Sequence, residues 1–376
     1  MNNNRKKRIL YITPLPPPYH GPNVDSHNLV SNWDSSTYSL ITFDISDKKK
    51  KADKIGRFTL RNILVTLKHS FRLIYHFVFK NRKYDVVLVY IDQNRWAILR
   101  DSIFILIVRF TTRAKIVCRY SAGGFSDFYN NSGIFKLYIK KILLRLDMII
   151  TEGHIISKQF KSIVSSVEVV SAHIGTPFTN EKSFYKKNSY FQVLYIIGQH
   201  RKEKGFWDLL YSIPEVISRN PNVRFNFVGD INEGLISKKN VQRFIKQHNI
   251  EEFIDFQGVK YGDEKDLCYQ SSSIMTLPSY TEGLPLSILE GMSFGLPIVA
   301  TRVGVIPEII KEEVNGYLLN PGDRKKLIEL ISFLSMNHDL VKKIGNNNRE
   351  YVLKSFTMQD FCRRLEACFD LIELEN

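Results

Sequence analysis

Two glutamates, Glu282 and Glu290, stand with seven residues between them in the apolar segment "SYTEGLPLSILEGMSFGLPIVAT" (Ser279–Thr301). The spacing predicts a strand ending near Leu277 and a polar loop over Ser279–Gly283. A helix then begins at Pro285, which suits the first helical position because its missing N–H is not needed there. The helix runs to about Phe294, where Gly295 can take a left-handed cap and Pro297 blocks continuation. Glu282 then precedes the helix N-terminus and Glu290 lies within the helix. Free N–H groups and the helix dipole make such an N-terminus an anion site, and Gly283 lets the backbone approach a ligand closely. A carboxylate in the helix can accept hydrogen bonds from vicinal hydroxyls, as on a ribose, and the loop carboxylate can do so for a sugar ring. The arrangement fits a nucleoside diphosphate sugar. Taken alone, such a pair is common by chance, and either glutamate reads also as a solvated helix residue or a first-turn dipole partner.

The elements around this segment alternate. Strand-like runs in the first half are Arg8–Thr13, Ser39–Asp44, Asp85–Tyr90, Lys115–Ser121, Asp147–Thr151 and Val167–Ile174. In the second half they are Gln192–Gly198, Arg224–Asp230, Ile254–Gly258, Ser273–Pro278 and Pro297–Thr301. Short, nearly continuous apolar strands between helical patterns mean parallel sheets covered on both faces. The rhythm runs twice, broken by the polar linker Thr176–Tyr190. The expected fold is α/β, with two doubly wound Rossmann-like domains, 1–178 and 190–355, facing a central cleft. A last helix over 356–376 has apolar residues at helical spacing, and either packs on its own domain or crosses back to the first.

Composition narrows the class. A chain of 376 residues, 44% hydrophobic, suits two domains and is not a disordered protein. The four cysteines show no metal-ligand or disulfide spacing, as expected of a cytoplasmic protein. The apolar runs are too short for a signal peptide or a membrane span. Residues 1–180 hold 28 Lys+Arg against 12 Asp+Glu, a net of +16, and 181–376 hold 25 against 26, a net of −1. The excess charge sits in the first half and favours a polyanionic partner there. Nucleic acid is not expected, because no nucleic-acid module accompanies the charge.

The second half carries more. The segments "GQHRKEKGFWDLLYSIPEVI" (Gly198–Ile217), "FNFVGD", "IDFQGVK", "LPSYTEGLPLSILEGMSFGLPIVAT", "GVIPEII" (Gly304–Ile310) and "NGYLLNPGD" (Asn315–Asp323) follow one another in order. In order and spacing they resemble the GT-B glycosyltransferases, specifically glycosyltransferase family 4 with its glycosyl transferases group 1 domain. The resemblance implies the GT-B fold and retaining sugar transfer from a nucleotide-diphosphate sugar, UDP- or GDP-linked. It implies that Glu282 contacts the donor sugar and Glu290 the ribose, with Gly283 and Leu284 near the sugar and diphosphate. Lys204 matches the family lysine that neutralises the diphosphate, whereas Gln199 replaces the family arginine, leaving His200 or Arg201 to reach in. Val259 and Lys260 match the loop beside the base. On the acceptor side, Gly21 stands in the first loop, with Pro22 where a second glycine is usual. Ser121 replaces the histidine of a H-G-G-x-F pattern that includes Gly123, with His20 and His154 as substitutes. No cofactor or metal is implied. Gln199 and Ser121 also suit a catalytically degenerate partner or nucleotide-sugar-binding subunit.

The stretch Arg57–Asp85 predicts a long basic helix rich in aromatics. It reads as a helix lying on an anionic membrane surface, or as a domain helix with an apolar core face. The first reading places the protein peripherally on the inner face of the cell membrane. A glycan or polyprenyl-diphosphate-linked acceptor would be met there, in assembly of bacterial surface polysaccharide or lipopolysaccharide.

Overall fold

The short apolar runs pair side by side because each is nonpolar on both faces and is followed by a helix that returns the chain in parallel. The computed structural model describes residues 5–19, 21–48, 59–177, 189–231 and 235–372. Most of the linker Thr176–Tyr190 lies outside the described residues, as do His20, Arg57 and Phe58.

The first sheet holds β1 (Lys7–Thr13), β2 (Tyr38–Asp44), β3 (Val86–Ile91), β4 (Lys115–Tyr120), β5 (Met148–Thr151) and β6 (Glu168–Ser171), in the order β2-β1-β3-β4-β5-β6. Every pairing in it is parallel. Its helices are α1 (Gly21–Ser31), α2 (Leu60–Ile74), α3 (Arg95–Thr111), α4 (Phe125–Asn130), α5 (Phe135–Leu143) and α6 (His154–Ile163). Ile9, Leu10, Tyr11 and Ile12 of β1 are wholly buried at its centre.

The second sheet holds β7 (Phe191–Gln199), β8 (Val223–Asp230), β9 (Ile254–Gly258), β10 (Ile274–Leu277), β11 (Ile298–Thr301) and β12 (Gly316–Leu319), in the order β12-β11-β10-β7-β8-β9, again all parallel. Its helices are α7 (Phe206–Arg219), α8 (Lys238–His248), α9 (Gly262–Gln270), α10 (Leu286–Ser293), α11 (Ile306–Ile309), α12 (Arg324–Ser335) and α13 (His338–Ser355). In each sheet the strand order reverses once, between β1 and β3 and between β7 and β10. Ligands of doubly wound sheets bind beyond the strand ends at such reversals.

The chain divides into two compact units, residues 1–177 with 358–376, and residues 178–357. The last helix, α14 (Met358–Asp370), belongs to the first unit. The Tyr38 hydroxyl donates to Asp370 at 2.7 Å, and the Arg119 guanidinium lies 4.8 Å from the Phe361 ring centre. Arg119 also pairs with Asp25, both buried.

Four details depart from the sequence reading. β12 was not expected, since "GYLL" is only four residues long. The last strand of the first sheet stops at Ser171 rather than Ile174, because its ladder with β5 runs only from Glu168 to Ser171. Pro285 caps α10 in an extended conformation instead of opening it. The helix expected over Arg57–Asp85 ends a few residues earlier: α2 passes into a π-helical turn at Tyr75–Phe79, and Asn81 turns left-handed at φ 44°.

Candidate functional site

The reversal in the second sheet brings together the loop after β7 and the loop after β10. The chain leaves β7 at Gln199, makes a short 3-10 turn at Lys202–Lys204, and enters α7 through Gly205 at φ 72°. Only glycine fits there: a Cβ on Gly205 would overlap the carbonyl of Pro278, just past β10. This close approach sets Lys204 beside Glu282. Lys204 Nζ lies 2.7 Å from Glu282 Oε2, and Ser279 Oγ donates to Oε1 at 2.7 Å. The Tyr195 hydroxyl fixes the Lys204 backbone by donating to its carbonyl at 2.9 Å. Burial, then the negative charge of Glu282, pushes the Tyr195 hydroxyl well above its ordinary pKa, so it stays a donor. The loop before α11 closes the other side. Val305 N–H donates to Gly283 O at 3.1 Å, and Gly304, at φ 56°, presses against the Glu282 carbonyl.

Glu290 is held differently. It lies inside α10 with 4% of its side chain exposed. Lys265 Nζ stands 2.7 Å from both carboxylate oxygens, and the Tyr269 hydroxyl donates to Oε2 at 2.6 Å. Both partners come from one face of α9, four residues apart. Tyr269 stacks on Phe294, ring centres 5.2 Å apart. Burial and the charge of Glu290 push its hydroxyl far above the ordinary range. Asp266, next to Lys265, is pushed up by burial first and by Glu290 second. Sequence reasoning missed Lys265, Tyr269 and Ser279. The available signal was K-x-x-x-Y on a helix just after the "FQGVK" loop.

The other expected residues fall into place unevenly. Leu284 is buried between the two glutamates in sequence. Gln199 ends β7, and its Oε1 accepts from the Arg201 guanidinium at 2.7 Å. Arg201 is exposed and remains a candidate for the missing charge. His200 is not one. It is wholly buried, its ring 5.4 Å from Tyr195 and packed against Phe206 and Phe227, and burial pushes its pKa down to about 4. It is a neutral core histidine. Val259 is exposed after β9, and Lys260 pairs with Glu264 at 3.6 Å rather than with either glutamate.

In the first unit, the reversal between β1 and β3 holds a cavity of about 90 Å³ whose lining includes Pro18, Asn23, Thr66, His69, Asp92 and Trp96. Asn23 Oδ1 is buried there with no hydrogen-bond partner among the described residues. Gly21 opens α1 two residues before Asn23, whereas Ser121 and Gly123 follow β4 and do not line the cavity. His154 is held by Ser171, 3.0 Å away. Among the described residues, no group of three or more His, Cys, Asp or Glu is placed to hold a metal ion. Nor is any helix long and apolar enough to cross a membrane.

Two parallel six-stranded sheets of these orders define the GT-B glycosyltransferase fold. A glycosyltransferase from Rickettsia africae superposes with a TM-score of 0.73 at 18% identity, over 97% of this chain and 98% of that one. HepE of Anabaena in complex with UDP does so with a TM-score of 0.73 at 15% identity, over 97% and 100%. At these identities the likeness is one of fold. Residues 178–351, a little under half of the chain, match the family model described as glycosyl transferases group 1. An uncharacterized glycosyltransferase of Methanocaldococcus jannaschii is 31% identical over 179 residues, 46% of this chain and 47% of the relative. The capsular polysaccharide biosynthesis glycosyltransferase CapM of Staphylococcus aureus is 23% identical over 198 residues, 52% and 50%. The chain thus spans about half the length of these curated relatives.

Proposed function

We propose that the protein is a retaining family 4 hexosyltransferase. It moves a sugar from a UDP- or GDP-linked donor to a hydroxyl of a glycan or polyprenyl-diphosphate-linked acceptor, in assembly of a bacterial surface polysaccharide. The observation that carries this reading is the pair of anchored carboxylates at the β7/β10 reversal, Glu282 on Lys204 and Glu290 on Lys265 and Tyr269. On this reading Glu290 accepts from the ribose hydroxyls and Glu282 from the donor sugar. Lys204 and the N-terminus of α10 face the diphosphate, with Arg201 in reach beside Gln199. Val259 and Lys260 flank the base. Gly21, Ser121 and Gly123 lie on the acceptor side, which belongs to the first unit.

The chemistry then needs no nucleophile from the protein. The bond from the sugar C1 to the diphosphate oxygen breaks as the acceptor oxygen bonds to C1 on the same face. The acceptor proton passes to the departing phosphate oxygen. Catalysis consists of positioning and of stabilising the charge that grows on the diphosphate, the task given to Lys204. Two similar proteins agree in kind: HepE of Anabaena was solved with UDP and glucose, and CapM of Staphylococcus aureus is a capsular polysaccharide biosynthesis glycosyltransferase. A membrane-borne acceptor would also give the charge of the first half an anionic membrane surface to meet.

Calorimetric titration of UDP, GDP and ADP into the wild type and Glu290→Ala tests the reading. One nucleotide is expected to bind in the micromolar range and to weaken strongly in the variant. Gln199 and Ser121, in place of the family arginine and histidine, favour a second reading, a degenerate nucleotide-sugar-binding partner. Nucleotide binding without sugar transfer to any offered acceptor would select it. If no nucleotide binds the folded protein, the transferase reading fails.

A further inference from the structure

Over its first three turns helix α2 carries its amphipathic pattern the wrong way round for a helix packed on a sheet. Its inward face bears the buried polar residues Asn62, Thr66, His69 and Ser70, three of which line the polar cavity at the β1/β3 reversal, and only then the buried Leu73 and, in the π turn, Phe77. Its outward face, continued through the π turn, bears Leu60, Leu64, Leu67, Phe71, Tyr75 and Phe79, each between 45% and 73% exposed. They recur every three or four residues and so form one stripe along the helix. Exposed apolar residues scattered singly are ordinary, but a contiguous stripe marks an interaction surface. The domain-helix alternative, an apolar face on the core, describes only the last part of this segment, where Leu73 and Phe77 are buried.

The surroundings specify the partner. Residues 60–84 contain no Asp or Glu, and Lys68, Arg72, Lys80, Arg82 and Lys83 flank the stripe. α3 packs beside α2 and α5 beside α3. Exposed apolar residues stand on or beside these helices too: Phe110 is 77% exposed, Ile134, just before α5, 87% and Leu137 56%. Lys136, Lys140 and Lys141 accompany them on α5. A second copy docked through this face would bring two sets of lysines and arginines together without a single acidic residue from α2 between them. An anionic lipid surface meets both requirements, acyl chains for the stripe and phosphates for the rim.

We propose that the outward face of α2 is a monotopic membrane-docking surface that takes anionic phospholipid. This deepens the membrane reading given above and rests on it, naming the element that makes the contact. It does not depend on the donor site.

The test is flotation of the full chain with vesicles of phosphatidylcholine alone and of phosphatidylcholine mixed with phosphatidylglycerol. The wild type should float with the mixed vesicles and only weakly with the neutral ones. Leu67→Asp combined with Phe71→Asp should lower the mixed-vesicle affinity by about a hundredfold or more, and Phe71→Ala alone by about tenfold. Lys68→Glu with Lys80→Glu should lower it by about tenfold or more and weaken its salt dependence. Titration of the same variants with whichever of UDP, GDP and ADP binds the wild type should match the wild type. Absence of wild-type binding to anionic vesicles overturns the proposal, as does unchanged binding by the double Asp variant. A vesicle-free dimer that the double Asp variant dissolves would assign the face to a second copy and also overturn it. If none of UDP, GDP and ADP binds while the vesicle results stand, the transferase reading falls and the docking surface remains.

Discussion

The ribose role of Glu290 can be separated from any structural role by removing the hydroxyls instead of the carboxylate. A carboxylate offers about four acceptor sites. Lys265 reaches both oxygens of Glu290 and Tyr269 takes a second site on Oε2, so Oε1 keeps a site for a ligand hydroxyl. One hydrogen bond to a charged, desolvated acceptor is worth about 1.5–3 kcal/mol, and the low exposure of Glu290 places it in the upper half of that range. Glu290→Ala should therefore weaken binding of the cognate nucleoside diphosphate by about 2–3 kcal/mol, roughly 30- to 150-fold. The same substitution should leave binding of the 2′,3′-dideoxy analogue unchanged within about twofold, since the lost partner was already missing. Calorimetry of two ligands on two proteins closes the cycle, and Glu290→Gln, which keeps the volume, serves if the Ala variant does not fold. Equal weakening of both nucleotides would refute the argument. It would mean that Glu290 only braces α9 against α10 through Lys265 and Tyr269.

Two further perturbations test how the site is held. Gly304→Ala puts a Cβ into the Glu282 carbonyl at a left-handed φ, so the loop carrying Glu282 must move. Transfer activity should fall at least tenfold while the rest of the second unit stays folded by circular dichroism; full activity would show that the loop position is unimportant. His200 stays neutral in the native state down to about pH 4, against an ordinary value of 6.5. Above pH 6.5 neither state is protonated and the residue contributes nothing to pH dependence. Between pH 6.5 and about 4 the unfolded chain takes up a proton that the native state refuses, so stability falls with falling pH, by up to about 3 kcal/mol. Urea unfolding at pH 7.0 and 4.5 should show His200→Phe losing less stability between the two than the wild type; parallel losses would contradict the burial argument.

Much of the second unit was legible because its signals are local. The strand, loop, helix and glycine stop around Glu282 and Glu290 are written in consecutive residues, and Gly295 takes the left-handed conformation that its place before Pro297 suggests. What holds the two carboxylates was not legible. Lys265 reaches Glu290 from another helix and across 25 positions, and Tyr269 does so across 21. No periodicity reports a contact of that range. His200 misled for a related reason: its neighbours Gln199 and Arg201 suggest a polar loop. Yet His200 N–H is still bonded to Asp230 O, which keeps the chain beside β8 and points the ring at Tyr195, Phe206 and Phe227. In α2 the pattern was visible but not its direction. An apolar stripe announces that something covers it, and only the packing shows that the sheet does not.

The replacement of the family arginine by Gln199 bears on whether the donor site is complete. Gln199 Oε1 accepts from Arg201, so the glutamine ties down a guanidinium two residues further on. Lys204, meanwhile, is paired with Glu282, so a donor diphosphate must share that cation with a carboxylate already in place. On the proposed reading, a site with Lys204 alone would face a diphosphate with little net positive charge, and Arg201 would restore the balance. If so, Arg201→Ala should weaken nucleoside diphosphate binding by about tenfold or more while barely changing that of the nucleoside, which lacks the phosphates. Gln199→Arg, by contrast, should gain nothing, because it sets a second guanidinium against the first and removes the group that positions it. Tighter binding by Gln199→Arg, with Arg201→Ala neutral, would mean that the charge is truly missing, and the degenerate-partner reading would then be the better one.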